Sequence, residues 1–268
     1  MKTLPCLKSL FATACLCGAS LPSVVLAESD GSITDEDLLL TGNPIIIATR
    51  VRLANEWADL DAGGNSDKLI LSGIFGFGFN GHDRNFGIGF EQPFLFNNPD
   101  GGDSEEGIGD FKLRFGHIFV DDPECWRAGC FFDTEFDTAA NNVQAIANQR
   151  TQMAFGGGGS YAISDKFVLT STIQYGWSLE DGETNGEKSE WEGHLVATVK
   201  VAEGVAINLD YKAVINTVDD SELFNTLEPS IGWTVGEKKN IGLSASLEIP
   251  LDDTGTSWIG KAGVTWFF

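Results

Sequence analysis

The stretch Trp258-Ile259-Gly260-Lys261-Ala262-Gly263-Val264-Thr265-Trp266-Phe267-Phe268 alternates with a period of two. Counting back in twos from Phe268 collects Trp266, Val264, Ala262, Gly260 and Trp258, a set without charge. The other set, Phe267, Thr265, Gly263, Lys261 and Ile259, includes a cation. An extended chain sends successive side chains to opposite faces, so this is a β-strand with one apolar and one mixed face. Such a strand fits a soluble sandwich as well as a membrane barrel. The rest of the chain decides between them.

From residue 44 onward the sequence divides into twelve alternating segments: 44–54, 67–79, 85–96, 107–119, 126–138, 150–163, 166–179, 188–201, 204–216, 225–236, 239–251 and 256–268. In 239–251, Ile241, Leu243, Ala245, Leu247, Ile249 and Leu251 share one face, opposite Gly242, Ser244, Ser246 and Glu248. The connections alternate between short ones, such as Ser164–Asp165 and Ala202–Glu203, and longer acidic ones, such as Asn97–Glu106 and Glu180–Glu187. Short turns on one rim, longer loops on the other and an even strand count are the pattern of an outer-membrane barrel. Closure leaves no unpaired backbone in lipid. The aromatics fall into two groups. Trp57, Phe96, Phe136, Trp177, Trp191 and Trp258 lie toward the long loops, and Phe86, Phe119, Trp126, Tyr161, Phe167, Trp233 and Phe268 toward the short turns. Two interfacial girdles are expected of a membrane-embedded wall. The predicted fold is therefore all-β, a transmembrane antiparallel up-and-down β-barrel of about twelve strands over 44–268.

The N-terminus carries Lys2 and Lys8, an apolar run from Leu10 to Leu26 and a small-residue end at Ala27. This reads as a removed secretory signal over 1–27, followed by a periplasmic segment over 28–43. Loss of the two lysines takes the formal charge from −22 to −24. Without a basic stripe to displace counterions from phosphates, nucleic acid is not an expected partner. The composition, with 32 Gly, 19 Phe and 7 Trp, suits glycine-rich strands with aromatic belts better than helices with sustained stripes. Past the signal, Cys125 and Cys130 remain, around a predicted turn; an exported protein admits a disulfide between them. Two cysteines without histidine company point away from a metal, and no cofactor is expected.

Several motifs tempt and fail. Gly76-Phe77-Gly78-Phe79-Asn80-Gly81 matches the dinucleotide fingerprint. That fingerprint needs a helix to follow, whereas here another strand begins at Asn85. Gly156-Gly157-Gly158-Gly159 lacks the Lys-Ser or Lys-Thr of a phosphate loop. Among His82, His117 and His194, the last reads inward with Glu192 two residues away, while Ser189 is on the other phase. A lipid-modifying hydrolase needs serine and histidine in hydrogen-bonding reach, so the chain reads as a non-enzyme, with that hydrolase and a structural or adhesive barrel kept as alternatives. In the acidic loop, Asp100, Asp103, Glu105 and Glu106 are hard oxygen donors for calcium or magnesium, or else simply a solvated loop.

The inward face carries the chemistry. Strand parity sends inward Arg50 and Arg52; then Asp110, Lys112 and Arg114; then Asp133, Glu135 and Asp137. Farther along it adds Glu192, His194 and Lys200, then Asp210 and Lys212, together with Glu228, Glu248 and Lys261. So many ionisable groups need partners or water. Eight strands already enclose a bore just wide enough for side chains to fill, so twelve strands leave room for a solute path. These residues are the candidate pore lining. A cationic wall of Arg50, Arg52, Lys112 and Arg114 facing Asp133, Glu135 and Asp137 is the expected constriction. The expected partners are outer-membrane lipid and a small-molecule solute.

The run Glu106-Gly107-Ile108-Gly109-Asp110-Phe111-Lys112-Leu113-Arg114-Phe115 follows an acidic loop and opens a strand. It resembles the transporter barrels named for the meta-pathway of phenol degradation. That resemblance implies an outer-membrane location, about twelve strands and uptake of small, often aromatic or poorly soluble compounds. The strand ending in Trp266 and Phe268 resembles the C-terminal signal of bacterial outer-membrane barrels, which implies the barrel-assembly machinery as a partner. Twelve-stranded acid-sugar porins are less similar, since the inward charges here are mixed rather than cationic.

Overall fold

The structure is a computed structural model. It describes residues 47–60, 64–78, 85–99, 104–122, 126–140, 143, 151–179, 189–217, 223–236, 240–252 and 256–268. The proposed signal, the 28–43 segment, Asp100, Asp103, His82 and Cys125 lie outside these residues.

The described strands are β1 (Arg50–Leu60), β2 (Gly64–Phe77), β3 (Phe86–Pro99), β4 (Glu105–Ile108), β5 (Phe111–Asp122), β6 (Trp126–Phe136) and β7 (Gln152–Ser164). They continue with β8 (Phe167–Ser178), β9 (Ser189–Ala202), β10 (Val205–Asn216), β11 (Leu223–Val235), β12 (Ile241–Pro250) and β13 (Thr256–Phe267). Each is antiparallel to its neighbours, and β4 and β5 are two halves of one crossing, so the thirteen segments make twelve crossings. Pairing of β1 with β13, from Arg50↔Phe267 to Leu60↔Thr256, closes the sheet into a barrel. No helix among the described residues is long and apolar enough to cross a membrane; the crossing elements are strands.

The period-two reading settles which face is which. Leu247, Ile249, Phe115, Phe155 and Ile173 are exposed on the outside of the wall. Glu248, Lys261, Arg114 and Asp133 sit on the opposite parity, inside. An apolar exterior around a charged interior is the arrangement that lipid requires. At the short-turn rim, Phe86 stacks on His117 at 4.2 Å between ring centroids and on Phe77 at 6.1 Å. At the long-loop rim, Tyr175 meets Trp191 at 4.9 Å and Trp177 at 5.9 Å. These are the two expected girdles.

The first strand differs from the sequence reading. It runs over 50–60 rather than 44–54, through residues that look like loop. Pairing decides this: Glu56 faces Lys68 directly across β1 and β2, 3.9 Å apart inside the bore, so alternation continues where the sequence turns polar. The apolar residues before it do other work. Ile47 is buried inside the barrel with Ile118 and Ile74, over Gly87 and Gly116, where a β-carbon at Gly87 would lie 2.7 Å from Ile47 Cγ2.

The glycine run 156–159 also finds its reason in packing. A β-carbon on Gly158 would sit 2.2 Å from the carbonyl oxygen of Ser171 on β8, and one on Gly156 would meet the ring of Phe131 at 2.4 Å. Close approach of neighbouring backbone, not phosphate, is what these positions serve. Gly158→Ala should therefore lower the urea midpoint of the refolded barrel by the equivalent of about 1–2 kcal/mol.

Cys130 is a free thiol among the described residues and lies on the outer face of β6. The bridge suggested from the sequence involves Cys125, which lies outside the described residues.

Candidate functional site

The family-like motif at 107–110 proves to be a break in the wall. The register between β3 and the β4–β5 crossing shifts by one residue at Gly109-Asp110, a β-bulge opposite Gln92-Pro93. Pro93 has no N–H to offer; its carbonyl accepts from Gly109 N at 3.0 Å, and Gln92 Nε2 donates to Gly109 O at 2.9 Å. Asp110 is buried, and its Oδ1 accepts from Thr138 N at 2.9 Å and Ala139 N at 3.0 Å. It anchors the chain leaving β6 and is not a pore-lining charge. Asp137 lies one residue past the end of β6 at Phe136 and is exposed, next to the segment that Asp110 holds. Asp110→Ala would orphan two backbone donors. We expect a loss of about 1–2 kcal/mol in barrel stability and faster proteolysis of the segment after Phe136.

The other inward charges are at the predicted parity, but most are spent on their neighbours. Arg114 forks onto Asp133, with Nε 2.6 Å from Oδ1 and a second contact from Nη2 to Oδ2, while its guanidinium lies 5.0 Å from the centroid of Phe131. Lys112 reaches Glu135 at 3.2 Å. Both are pairs between adjacent strands, with Lys112↔Glu135 and Arg114↔Asp133 in direct register. Lys112 and Arg114 thus meet the carboxylates of the anticipated opposite wall along adjacent strands rather than across the bore. These groups brace one stretch of wall, as fork-to-fork carboxylate pairing favours.

A second network covers β8 to β13. His194 Nε2 is 2.9 Å from Glu192 and Nδ1 is 3.0 Å from Asp210, while Gln174 donates to Glu192 at 3.0 Å. Both ring nitrogens are held by carboxylates, which leaves neither free to activate a serine. Lys261 Nζ lies 2.6 Å from Glu228 and 2.7 Å from Glu248, and Lys212 is 3.8 Å from Glu248. Lys200 shares the inward parity of His194 on β9. At the short-turn rim, Arg127 is 2.6 Å from Asp121, which lies past the 107–119 segment read from the sequence because β5 continues to Asp122 after a bulge at Ile118.

Arg50 and Arg52 stand outside these networks. Neither has a carboxylate within salt-bridge distance among the described residues, and Arg52 Nε is buried without a hydrogen-bond partner. They line a cavity with Asn208, Ser230, Ser244, Ser246 and Thr265, and with the ring of Phe267. Ser244, Ser246, Thr265 and Phe267 lie on the faces that period two assigns to Glu248 and Lys261; strand register is what brings them to one cavity with Arg50 and Arg52.

No family model matches the sequence, and no curated protein matches it. Among solved structures, the fold is similar to the COG4313 outer membrane channel from Pseudomonas putida F1, at TM-score 0.65 and 11% identity, covering 91% of this chain and 100% of that one. It is also similar to the NanC porin, at TM-score 0.60 and 9% identity over 82% of this chain and 100% of that one. The KdgM porin follows at TM-score 0.51 and 11% identity, over 82% and 99%. At these identities the likeness is one of fold: a closed, twelve-crossing barrel of the outer-membrane type.

Proposed function

We propose that this protein is an outer-membrane channel through which small solutes diffuse without energy coupling. The observation that carries the reading is the inner wall of the closed barrel. Ion pairs and hydroxyls line it beside a cavity, while the outer wall is apolar. Buried charge on this scale implies water in the bore. Ile47, packed inside the barrel against Ile118 and over Gly87 near the short-turn end, narrows that bore and favours a low conductance. Aromatic or poorly soluble compounds, implied by the resemblance around Gly107–Asp110 to the phenol meta-pathway transporters, are the proposed cargo. The fold similarity to a solved outer membrane channel and to two porins supports the same reading.

The test is reconstitution into planar bilayers and liposomes. We expect discrete single-channel steps with weak ion selectivity, because most lumenal charge is paired. Liposome swelling should be faster with small solutes than with disaccharides. A correctly folded barrel that yields no steps and no swelling would overturn the channel reading.

A further inference from the structure

We infer that Arg50 and Arg52 form a lumenal subsite for a carboxylate that carries an aromatic body. The inference deepens the channel reading and rests on it. Its starting point is the difference between these two arginines and the other inward cations. Lys68, Lys112, Arg114, Arg127, His194, Lys212 and Lys261 each lie within 4.0 Å of a carboxylate. Arg50 and Arg52 do not, among the described residues, although they share one face of β1.

Two guanidinium groups two residues apart on a strand are about 6.6 Å apart at the backbone and repel each other. The cavity they line does contain carboxylates, but those are engaged elsewhere: Asp210 holds His194 at 3.0 Å, and Glu228 holds Lys261 at 2.6 Å. Arg52 lies over Gly263, where a β-carbon would come within 3.0 Å of Nε. The absence of a side chain at Gly263 gives the guanidinium a seat against β13, while its Nε donor stays unused. An arginine fork with unspent donors in a partly dehydrated wall is the residue type that takes a carboxylate in two-pronged fashion.

The body of the ligand is read from what surrounds the charge. Phe267 is the direct cross-strand partner of Arg50, on the inward face of β13. Its ring packs over Gly242, where a β-carbon would lie 3.1 Å away, so the ring has a fixed place beside the guanidinium pair. Val196 adds apolar surface to the same cavity, and the hydroxyls of Ser230, Ser244 and Thr265 complete its rim. Paired cations beside one aromatic ring match a monocarboxylate whose aromatic body lies against Phe267 and Val196 while its charge meets the guanidinium pair.

The experiment is calorimetric titration of sodium benzoate into the detergent-solubilised full barrel, with benzyl alcohol, benzylammonium and galacturonate as comparisons, alongside bilayer recordings. We expect benzoate to bind and to interrupt the ionic current, and the three comparison solutes to do neither at equal concentration. Arg50→Gln with Arg52→Gln should weaken benzoate binding about tenfold or more, and Arg50→Lys with Arg52→Lys should restore part of it. Retained heat-modifiable migration of both variants shows that the barrel still assembles. Benzoate binding equally to the double glutamine variant overturns the subsite, and galacturonate binding as well as benzoate overturns its aromatic preference. If benzoate binds through the arginines but no current is ever seen, the subsite stands and the channel reading falls.

Discussion

Truncation of the chain after Asp252 should abolish barrel assembly, with no heat-modifiable band on an unboiled gel. The removed strand, β13, pairs on one side with β12 and on the other with β1, the latter over the whole length from Arg50↔Phe267 to Leu60↔Thr256. Without it, β1 and β12 each present a row of unpaired N–H and C=O groups to hydrocarbon. Each such group costs several kcal/mol, so the open sheet is not a viable state in a bilayer. A softer change separates closure from recognition. Phe268 is 72% exposed on the outside, and its backbone N–H continues the ladder by donating to Thr49 O at 3.0 Å. Phe268→Ala should lower the amount of barrel assembled in cells and leave the urea midpoint of the purified barrel unchanged. A heat-modifiable barrel from the truncated chain would refute the closure scheme.

The fold was legible because lipid imposes a simple code. Every crossing has one face in hydrocarbon, so alternation survives along the whole wall, and Leu247, Ile249 and Phe155 stand where period two puts them. The code fails where a second rule competes. At 44–54 the isoleucines look like the start of a strand, but Ile47 is spent inside the bore, and the strand is fixed instead by pairing of residues 50–60 with β2 and β13. At Gly109-Asp110 the bulge shifts the phase, which turns Asp110 from a presumed lining charge into a backbone acceptor. Bulges leave little trace in hydrophobic pattern, because one extra residue is a local event.

The candidate site was legible in its composition but not in its pairing. Parity alone brought out the inward Arg, Lys, Asp and Glu residues; it does not say which of them neutralise one another. Register supplies that. Arg114 and Asp133 are direct cross-strand neighbours, so a predicted field across the bore collapses into a local ion pair. Once such pairs are subtracted, Arg50 and Arg52 remain as inward cations without a carboxylate in reach among the described residues. Function in a wall of this kind follows from what is left over, not from the total.

Lys261→Met should be the most damaging single substitution in the bore. One ammonium group ties three successive strands together: Lys261 on β13 lies 2.7 Å from Glu248 on β12 and 2.6 Å from Glu228 on β11. The three side chains are only 20%, 12% and 24% exposed, so water does little to replace a missing cation. Both carboxylates now share one proton donor. Without it they would be like charges held close together, with Lys212, 3.8 Å from Glu248, as the partner still in reach. Breaking a buried pair from one side typically costs about 3–5 kcal/mol, and we expect about 3 here because the bore admits some water. The urea midpoint of the refolded barrel measures it. Adding Glu228→Gln to the variant should recover about half of the loss, since it removes the carboxylate left without any cation. In bilayers the single variant should also shift the reversal potential toward cations, and the double variant should shift it back. A midpoint within about 0.5 kcal/mol of the parent would mean that water in the bore solvates these carboxylates fully, and that the network does not brace the wall.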